Sequence, residues 1–288
     1  MNSEKTGLDS AGGWEFVDEY TFVELPRIEE KMPEVPATGH NVFLEMIRKR
    51  VMGDAEVQGL WKCSNVIAMN RLGFSDHGKQ HVEIVANNAL NILKLLSDAG
   101  VQPSCVKDYG LSYDDAEIIV YLAACLHDIG HTVHRDCHTQ YSVWLAMPVL
   151  NRLLDGIYTP EIQVVARSEI LHCISAHHKD TRTLSVEAGV LRLSDALDMA
   201  RGRTRLWDDA ASNRKIHAVS ARAIESVEIW KGRTKPVLIK ILMSGSAGVF
   251  QVDELLMPKL RGSGIEDYVQ IEARVACEKQ IVNDFVIE

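Results

Sequence analysis

The feature that most constrains this chain is an unbroken apolar run over residues 118–126 that ends in His127 and Asp128. A helix that is apolar on nearly every side must lie inside the protein. An imidazole and a carboxylate at its end are costly to bury without a partner. Both are ligands that borderline and hard divalent metals share. The run therefore predicts a buried helix that ends at a metal centre, provided that other segments supply further ligands.

Further candidate ligands follow along the chain, each on or at the end of a segment with the apolar spacing of a helix. His81 opens a segment whose apolar residues recur at 82, 85, 86, 89, 93 and 96, and His138 precedes a second apolar stretch. His177 and Asp195 each lie one turn beyond an apolar residue of their own segment. Surface histidines would not repeat this placement. These four side chains are therefore predicted to face the core, where they would meet the first pair.

The ordered set resembles the HD superfamily of metal-dependent phosphohydrolases over roughly residues 60–205. It reads, in chain order, His81, His127, Asp128, His138, His177 and Asp195. The whole chain is also similar to an archaeal-type group of uncharacterised HD proteins, on the stretches 196–203 and 243–252. The resemblance implies two ions bridged by Asp128, which would also be the central catalytic residue. The first ion would take His81, His127 and Asp195 as further ligands, and the second would take His138 and His177.

The same resemblance implies hydrolysis of a phosphoester by attack of a metal-bound hydroxide. The expected substrate is a nucleotide or another small phosphorylated metabolite. One or two divalent ions would serve as cofactors, and the nitrogen and oxygen ligands fit Mn, Fe, Zn or Mg. Two other functions stay open, namely a mixed-valence di-iron HD oxygenase and an HD module that senses a nucleotide without turnover.

Two differences from the sequences of relatives narrow the range of expected substrates. The stretch after Asp128 reads Ile129-Gly130-His131, without the two-carboxylate continuation of guanosine tetraphosphate hydrolases. The doublet His177-His178 is similar to that of the cyclic-di-nucleotide HD-GYP group, but their Gly-Tyr-Pro element does not follow it. Neither of these two substrates is expected.

Four side chains beyond the ligands are candidate catalytic residues. His131 and Arg135 lie in the loop after the His-Asp pair, where contact with substrate competes with an ordinary loop position. Arg201 and Arg203 follow the Asp195 segment. They are predicted to bind phosphate as forked donors, with a charged helix end as the alternative.

Other polar residues near the ligands are assigned different roles. Asp198 is predicted to accept a hydrogen bond from a neighbour. His77 is predicted to cap a turn or line the pocket in preference to binding a metal. His172 is expected in the core or beside the ligands, and His178 either beside the ligands or exposed.

The composition of the chain limits which binding partners and which cellular location are expected. A net charge of -9 disfavours a nucleic-acid scaffold, which needs a basic face, but allows a small phosphorylated substrate. No apolar stretch is long enough to span a bilayer, and the N-terminus lacks the pattern of a signal peptide. The six cysteines are scattered, as in a cytoplasmic protein with reduced thiols. A cytoplasmic homo-oligomer without a membrane partner is therefore expected.

The predicted fold is mainly α. Residues 1–60 are predicted to form an N-terminal arm and leading helices, residues 61–210 an HD-type metal-binding helical bundle, and residues 211–288 a small α+β domain with a short, mainly antiparallel sheet. Ser112 and Thr159 are predicted to cap helices, and Pro148 to kink or break the helix that follows His138. The C-terminal domain is predicted to add little chemistry.

Overall fold

Helices build most of the protein, and a small sheet follows them. The computed structural model describes residues 41–200, 216–276 and 285–287. The predicted N-terminal arm, Arg201 and Arg203 lie outside the described residues. The helices of the first range are α1 (Val42–Gly53), α2 (Ala55–Asn65), α3 (Lys79–Asp98), α4 (Ser104–Tyr109), α5 (Tyr113–Leu126), α6 (His138–Leu153), α7 (Pro160–Ala176) and α8 (Val186–Leu197). Across the described ranges, no helix is both long and apolar enough to cross a bilayer.

The predicted buried helix is α5, and the other helices pack around it. Every residue from Ala116 to Leu126 is buried. Helices α1, α3, α7 and α8 contact α5 directly. Because α5 is apolar on all sides, it is stable only when surrounded in this way. Its C-terminal end, where His127 and Asp128 follow, is therefore also inside the bundle.

The predicted helix starts are confirmed, and of the kink or break predicted at Pro148 the break is wrong. Ser112 caps α5 in a capping box with Asp115, and the Thr159 side chain accepts a hydrogen bond from Ile162 at the start of α7. Helix α6 continues through Pro148 to Leu153. Pro148 removes the donor for the carbonyl of Trp144, but both residues are exposed. Water can bond that carbonyl, so the helix need not end there.

A four-stranded sheet forms the C-terminal part. Its strands are β1 (Ile224–Lys231), β2 (Val237–Met243), β3 (Val269–Val275) and β4 (Phe285–Ile287), in that spatial order, and α9 (Ile216–Arg222) precedes β1. The pairs β1–β2 and β3–β4 are antiparallel, as predicted for most of the sheet. The central pair β2–β3 is parallel, with Val237 opposite Val269.

The parallel pair has a topological cause. Parallel neighbours need a long crossover connection. Here it is the helical segment of α10 (Val249–Gln251), a π-helical turn (Val252–Leu256) and α11 (Met257–Arg261). Helix α11 packs against α8 of the bundle, so the crossover joins the sheet to the helices.

Candidate metal centre

Five helix ends bring the six candidate ligands together. His81 lies in the first turn of α3, and His138 begins α6. His127 and Asp128 follow α5, His177 follows α7, and Asp195 lies in the last turn of α8. All are buried except His138, which is slightly exposed. The predicted convergence is therefore what the structure shows.

The two oxygens of Asp128 face different histidines. Its Oδ2 lies 3.3 Å from Nε2 of His127 and 3.6 Å from Nε2 of His81. Its Oδ1 lies 3.4 Å from Nε2 of His177 and 3.5 Å from Nε2 of His138. Burial raises the pKa of Asp128, but the surrounding histidines outweigh burial and hold the pKa well below its usual range. A charged carboxylate thus lies between a first histidine pair, His81 and His127, and a second pair, His138 and His177.

Asp195 adds a second carboxylate on one side only. Its Oδ1 lies 3.4 Å from Nε2 of His81 and 3.8 Å from Nε2 of His127. Burial raises its pKa, but Lys259 and then His127 outweigh burial, and the pKa lies well below the ordinary value. The first histidine pair therefore faces two negative charges, and the second pair faces one.

Each histidine of the two pairs has an acceptor behind its ring. The Nδ1 atoms of His127, His138 and His177 lie 2.8, 2.9 and 2.7 Å from the carbonyl oxygen three residues earlier in the chain. The Nδ1 of His81 lies 2.6 Å from the carboxylate of Asp198, which is the acceptor role predicted for that residue. Acceptors at Nδ1 place the ring proton there and leave Nε2 as a lone pair directed into the site.

Within each pair, the two Nε2 atoms face each other at short range. The separation is 3.2 Å between His81 and His127 and 3.3 Å between His138 and His177. Two lone pairs at such a distance repel unless positive charge lies between them. Burial lowers the pKa of His127, but Asp128 outweighs burial and raises the pKa to about 10.

Burial dominates the pKa values of the second pair, His138 and His177. Burial lowers the pKa of His138 to about 3, and it also lowers the pKa of His177. Two imidazoles and a carboxylate are ligand types that suit a divalent ion such as Zn²⁺, Mn²⁺ or Fe²⁺. Histidine and aspartate groups that could hold a metal are thus present on both sides of Asp128.

Two further histidines lie against Asp128. His131 is buried, its Nε2 lies 3.5 Å from Oδ1 of Asp128, and its ring stacks on His138 with 4.3 Å between centroids. In the part of the chain that is described, its Nδ1 has no hydrogen-bond partner. The Nε2 of His77 lies 4.0 Å from Oδ2 of Asp128. The His77–His81 spacing of four residues is the sequence signal that places His77 near the ligands.

Three sets of donor atoms lie within 4.8 Å of one another in the described ranges. They are His81–His127–Asp195, His127–Asp128–His177 and His77–Asp128–His131. The third set was not predicted, because His77 was assigned to the pocket wall and His131 to substrate contact.

A cation that sequence analysis missed also enters the site. Lys259 of α11 forms an ion pair with Oδ2 of Asp195. The expectation that the C-terminal part adds little chemistry overlooked this lysine. No local pattern marks it, because it is an ordinary lysine in a helical segment 64 residues away from its partner.

The exposed edge of the site carries further positive charge. Arg135 lies with its guanidinium carbon 4.1 Å from the ring centroid of Phe74, which fixes it at this edge. Burial lowers the pKa of His178, Asp180 opposes this, and the nearby cations Lys259, Lys179 and Arg135 lower it further.

Among the histidines of the region, His138, His172 and His178 are not in the three donor sets, although Nε2 of His138 lies 3.5 Å from Oδ1 of Asp128. His178 is half-buried, and its Nδ1 lies 3.2 Å from a carboxylate oxygen of Asp180. His172 is also half-buried, and it accepts a hydrogen bond from the backbone N–H of Leu184 at 3.0 Å.

Comparison with known proteins agrees with the resemblance to the HD superfamily. Residues 75–200 match the family model of the HD domain. The chain is 41% identical over 243 residues to Uncharacterized protein MJ1020 of Methanocaldococcus jannaschii, a match that covers 84% of this chain and 93% of that protein. No solved structure matches the chain significantly. With this match and the convergent histidines and aspartates, the chain belongs to the HD family.

Proposed function

We propose that the protein is a metal-dependent phosphohydrolase that acts on a nucleotide or another small phosphoester. The observation that carries the proposal is the division of Asp128 between two histidine pairs, at 3.3–3.6 Å on either side. This arrangement offers two adjacent cation positions that share one carboxylate. When bound, a pair of divalent ions supplies Lewis acidity and an activated water for displacement at phosphorus.

The side chains of the chain would divide the remaining tasks. The histidine pairs and Asp195 would hold the ions, and the acceptors behind the rings keep each Nε2 directed at them. His131, whose Nε2 lies 3.5 Å from Oδ1 of Asp128, would stand beside the ions as the candidate contact to the phosphoester. The burial of these groups would keep bulk water away from the reacting atoms, where electrostatic interactions are stronger than in water.

The cationic edge supports an anionic substrate. The chain as a whole carries a net charge of -9, so a local group of cations stands out against its surroundings. Arg135 and Lys179 lie near His178 at this edge, and Lys259 is next to Asp195. A phosphorylated small molecule fits such an edge better than a neutral or cationic one does.

The test is phosphate release from a panel of nucleotides and aryl phosphoesters with Mn²⁺, Fe²⁺, Mg²⁺ or Zn²⁺, combined with elemental analysis of the protein. We expect turnover with at least one metal and its loss in Asp128→Asn. His134→Gln is the matched control, because His134 lies in the same loop but is exposed. A protein that binds the metals yet releases no phosphate from the panel would contradict the proposal. Iron-dependent oxygen consumption in that case would favour the di-iron oxygenase.

A further inference from the structure

Helix α8 presents one face to the segment that carries Lys259. Its residues Gly189, Arg192 and Asp195 are spaced by three, so they lie along the same side of the helix. On the segment of α11 and the turn after it, Gly189 meets Ser263, Arg192 meets Gly262, and Asp195 meets Lys259.

The first of these contacts requires a glycine. A side chain at position 189 would collide with the backbone oxygen of Ser263 and press on Ile265. Thr183 holds the same backbone by donating to the carbonyl oxygens of Ser263 and Gly262, at 2.8 and 3.1 Å. The turn after α11 is therefore fixed tightly against α8.

The second contact is a buried arginine that joins two helix ends. Arg192 is 1% exposed. Its guanidinium donates to the carbonyl oxygen of Ala176 at 2.6 and 3.0 Å, to that of His178 at 2.8 Å, and to those of Thr181 and Gly262. Several carbonyls can be bound at once because the guanidinium is a planar fork of five donors. Arg192 thus ties the end of α7 to the end of α11.

The third contact is the ion pair itself. Oδ2 of Asp195 accepts from Lys259, while Oδ1 faces His81 and His127. The Lys259 side chain keeps 22% of its surface exposed, so solvent reaches part of it although its partner carboxylate is buried.

We propose that Lys259 is a further catalytic residue of the site, which binds the phosphoryl oxygens of the substrate beside Asp195. The inference rests on the proposed function. An ammonium on a flexible stem can contact an anion at the edge while staying close to the carboxylate. Lys259 is the cation that contacts a candidate ligand directly, and a phosphoester would bring the opposite charge to it. The contacts of Gly189 and Arg192 hold α11 where its lysine reaches this position.

The experiment measures binding of inorganic phosphate to the Mn²⁺-loaded protein by calorimetry, with bound Mn²⁺ determined in parallel. Lys259→Met should weaken phosphate binding by roughly 10- to 100-fold, the range for a hydrogen bond to a charged group. It should leave the Mn²⁺ content unchanged, and Lys259→Arg should retain most of the affinity. Arg261→Met is the matched control, since it removes an exposed cation from the same helix and should change nothing.

Three outcomes would overturn the inference. The first is an unchanged phosphate affinity in Lys259→Met. The second is a loss of Mn²⁺ in that variant, which would make Lys259 a positioning residue for Asp195. The third is an absence of phosphate binding by the Mn²⁺-loaded wild type. A failure of the proposed function would give a different experimental result. In that case Lys259 would still contribute to phosphate binding, but no phosphoester of the panel would be hydrolysed.

Discussion

At the scale of single residues, the main chain orients most of the candidate ligands. His127, His138 and His177 each direct Nδ1 to the carbonyl three residues earlier, so the helix end that carries the ring also sets its angle. His81 differs, because its Nδ1 is held by the side chain of Asp198. A substitution can remove that partner without disturbing the backbone.

Replacement of Asp198 should therefore weaken one cation position selectively. In Asp198→Ala, His81 loses the acceptor that fixes its tautomer, and metal affinity should fall by roughly 10- to 100-fold at the position shared with His127. Calorimetric titration with Mn²⁺ should then resolve one weakened and one unchanged site. Asp136→Ala, at an exposed carboxylate of the neighbouring loop, serves as the control. Equal weakening of both sites would contradict this assignment.

The metal-free protein should be most stable near pH 6.5. His127 has its pKa raised from 6.5 to about 10, so its contribution to stability is complete below pH 6.5 and is lost as the pH rises toward 10. His138 has its pKa lowered from 6.5 to about 3, so its contribution is lost as the pH falls from 6.5 toward 3.

Thermal melts of the chelated protein across this range measure the effect. His127→Gln should flatten the alkaline side of the profile, and His138→Gln should flatten the acidic side. A midpoint that changes in one direction only between pH 4 and pH 9 would show that these two histidines do not govern the profile.

At the scale of elements, α8 is the helix on which the other parts of the site depend. It carries Asp195, it binds the end of α7 through Arg192, and it accepts the backbone after α11 at Gly189. Its glycine should therefore behave unlike a glycine on an open helix surface.

Gly189→Ala and Gly59→Ala should have opposite effects. Gly59 lies inside α2, and no atom lies within 4 Å of the place that a Cβ would take there. Alanine at 59 should therefore stabilise the protein by about 0.5–1 kcal/mol through helix propensity. Alanine at 189 must displace the Ser263 backbone, and it should destabilise by about 1–3 kcal/mol. Urea unfolding of both variants measures the difference, and stabilisation by both would mean that α11 is not held at this point.

Local rules predicted the elements better than their connections. Ser112 and Thr159 were found as helix caps because a cap depends on residues only a few positions away. The sequence leaves both a kink and a break open at Pro148, because the choice depends on which side of the helix meets water. The parallel pairing of β2 with β3 was missed, since the route of the crossover is a property of the tertiary fold.

In the candidate site, too, residues that follow a local pattern could be predicted, and residues brought in by the tertiary fold could not. The six candidate ligands could be predicted because each lies on or beside an apolar helical pattern, and because their order resembles a known family. Lys259 could not be predicted, since its contact with Asp195 joins segments that share no local pattern. Arg201 and Arg203 stay predictions, because they lie outside the described residues.

At the scale of the whole molecule, the candidate centre joins the ends of five helices. Ligands that bind only the folded state stabilise it by mass action, by about 2.7 kcal/mol at a concentration of one hundred times Kd. Removal of metal from the loaded protein should therefore lower its melting temperature, and addition of Mn²⁺ should restore it.

Asp128→Ala tests whether the two positions act together. Because this carboxylate faces both histidine pairs, the variant should lose both ions, and its melting temperature should no longer respond to Mn²⁺. His134→Gln should respond as the wild type does, since its side chain is exposed. Full metal content in Asp128→Ala would show that the carboxylate is not shared.

The crossover between β2 and β3 has a consequence for where this chain can be cut. Residues 75–200 match the HD domain and contain all six candidate ligands, yet the cation that touches Asp195 comes from residue 259, inside the connection of two hydrogen-bonded strands. A fragment trimmed to the ligand-bearing helices would lose that contact together with the sheet. A shortened chain that keeps Lys259 beside Asp195 must therefore extend beyond the HD match, through the crossover to β3.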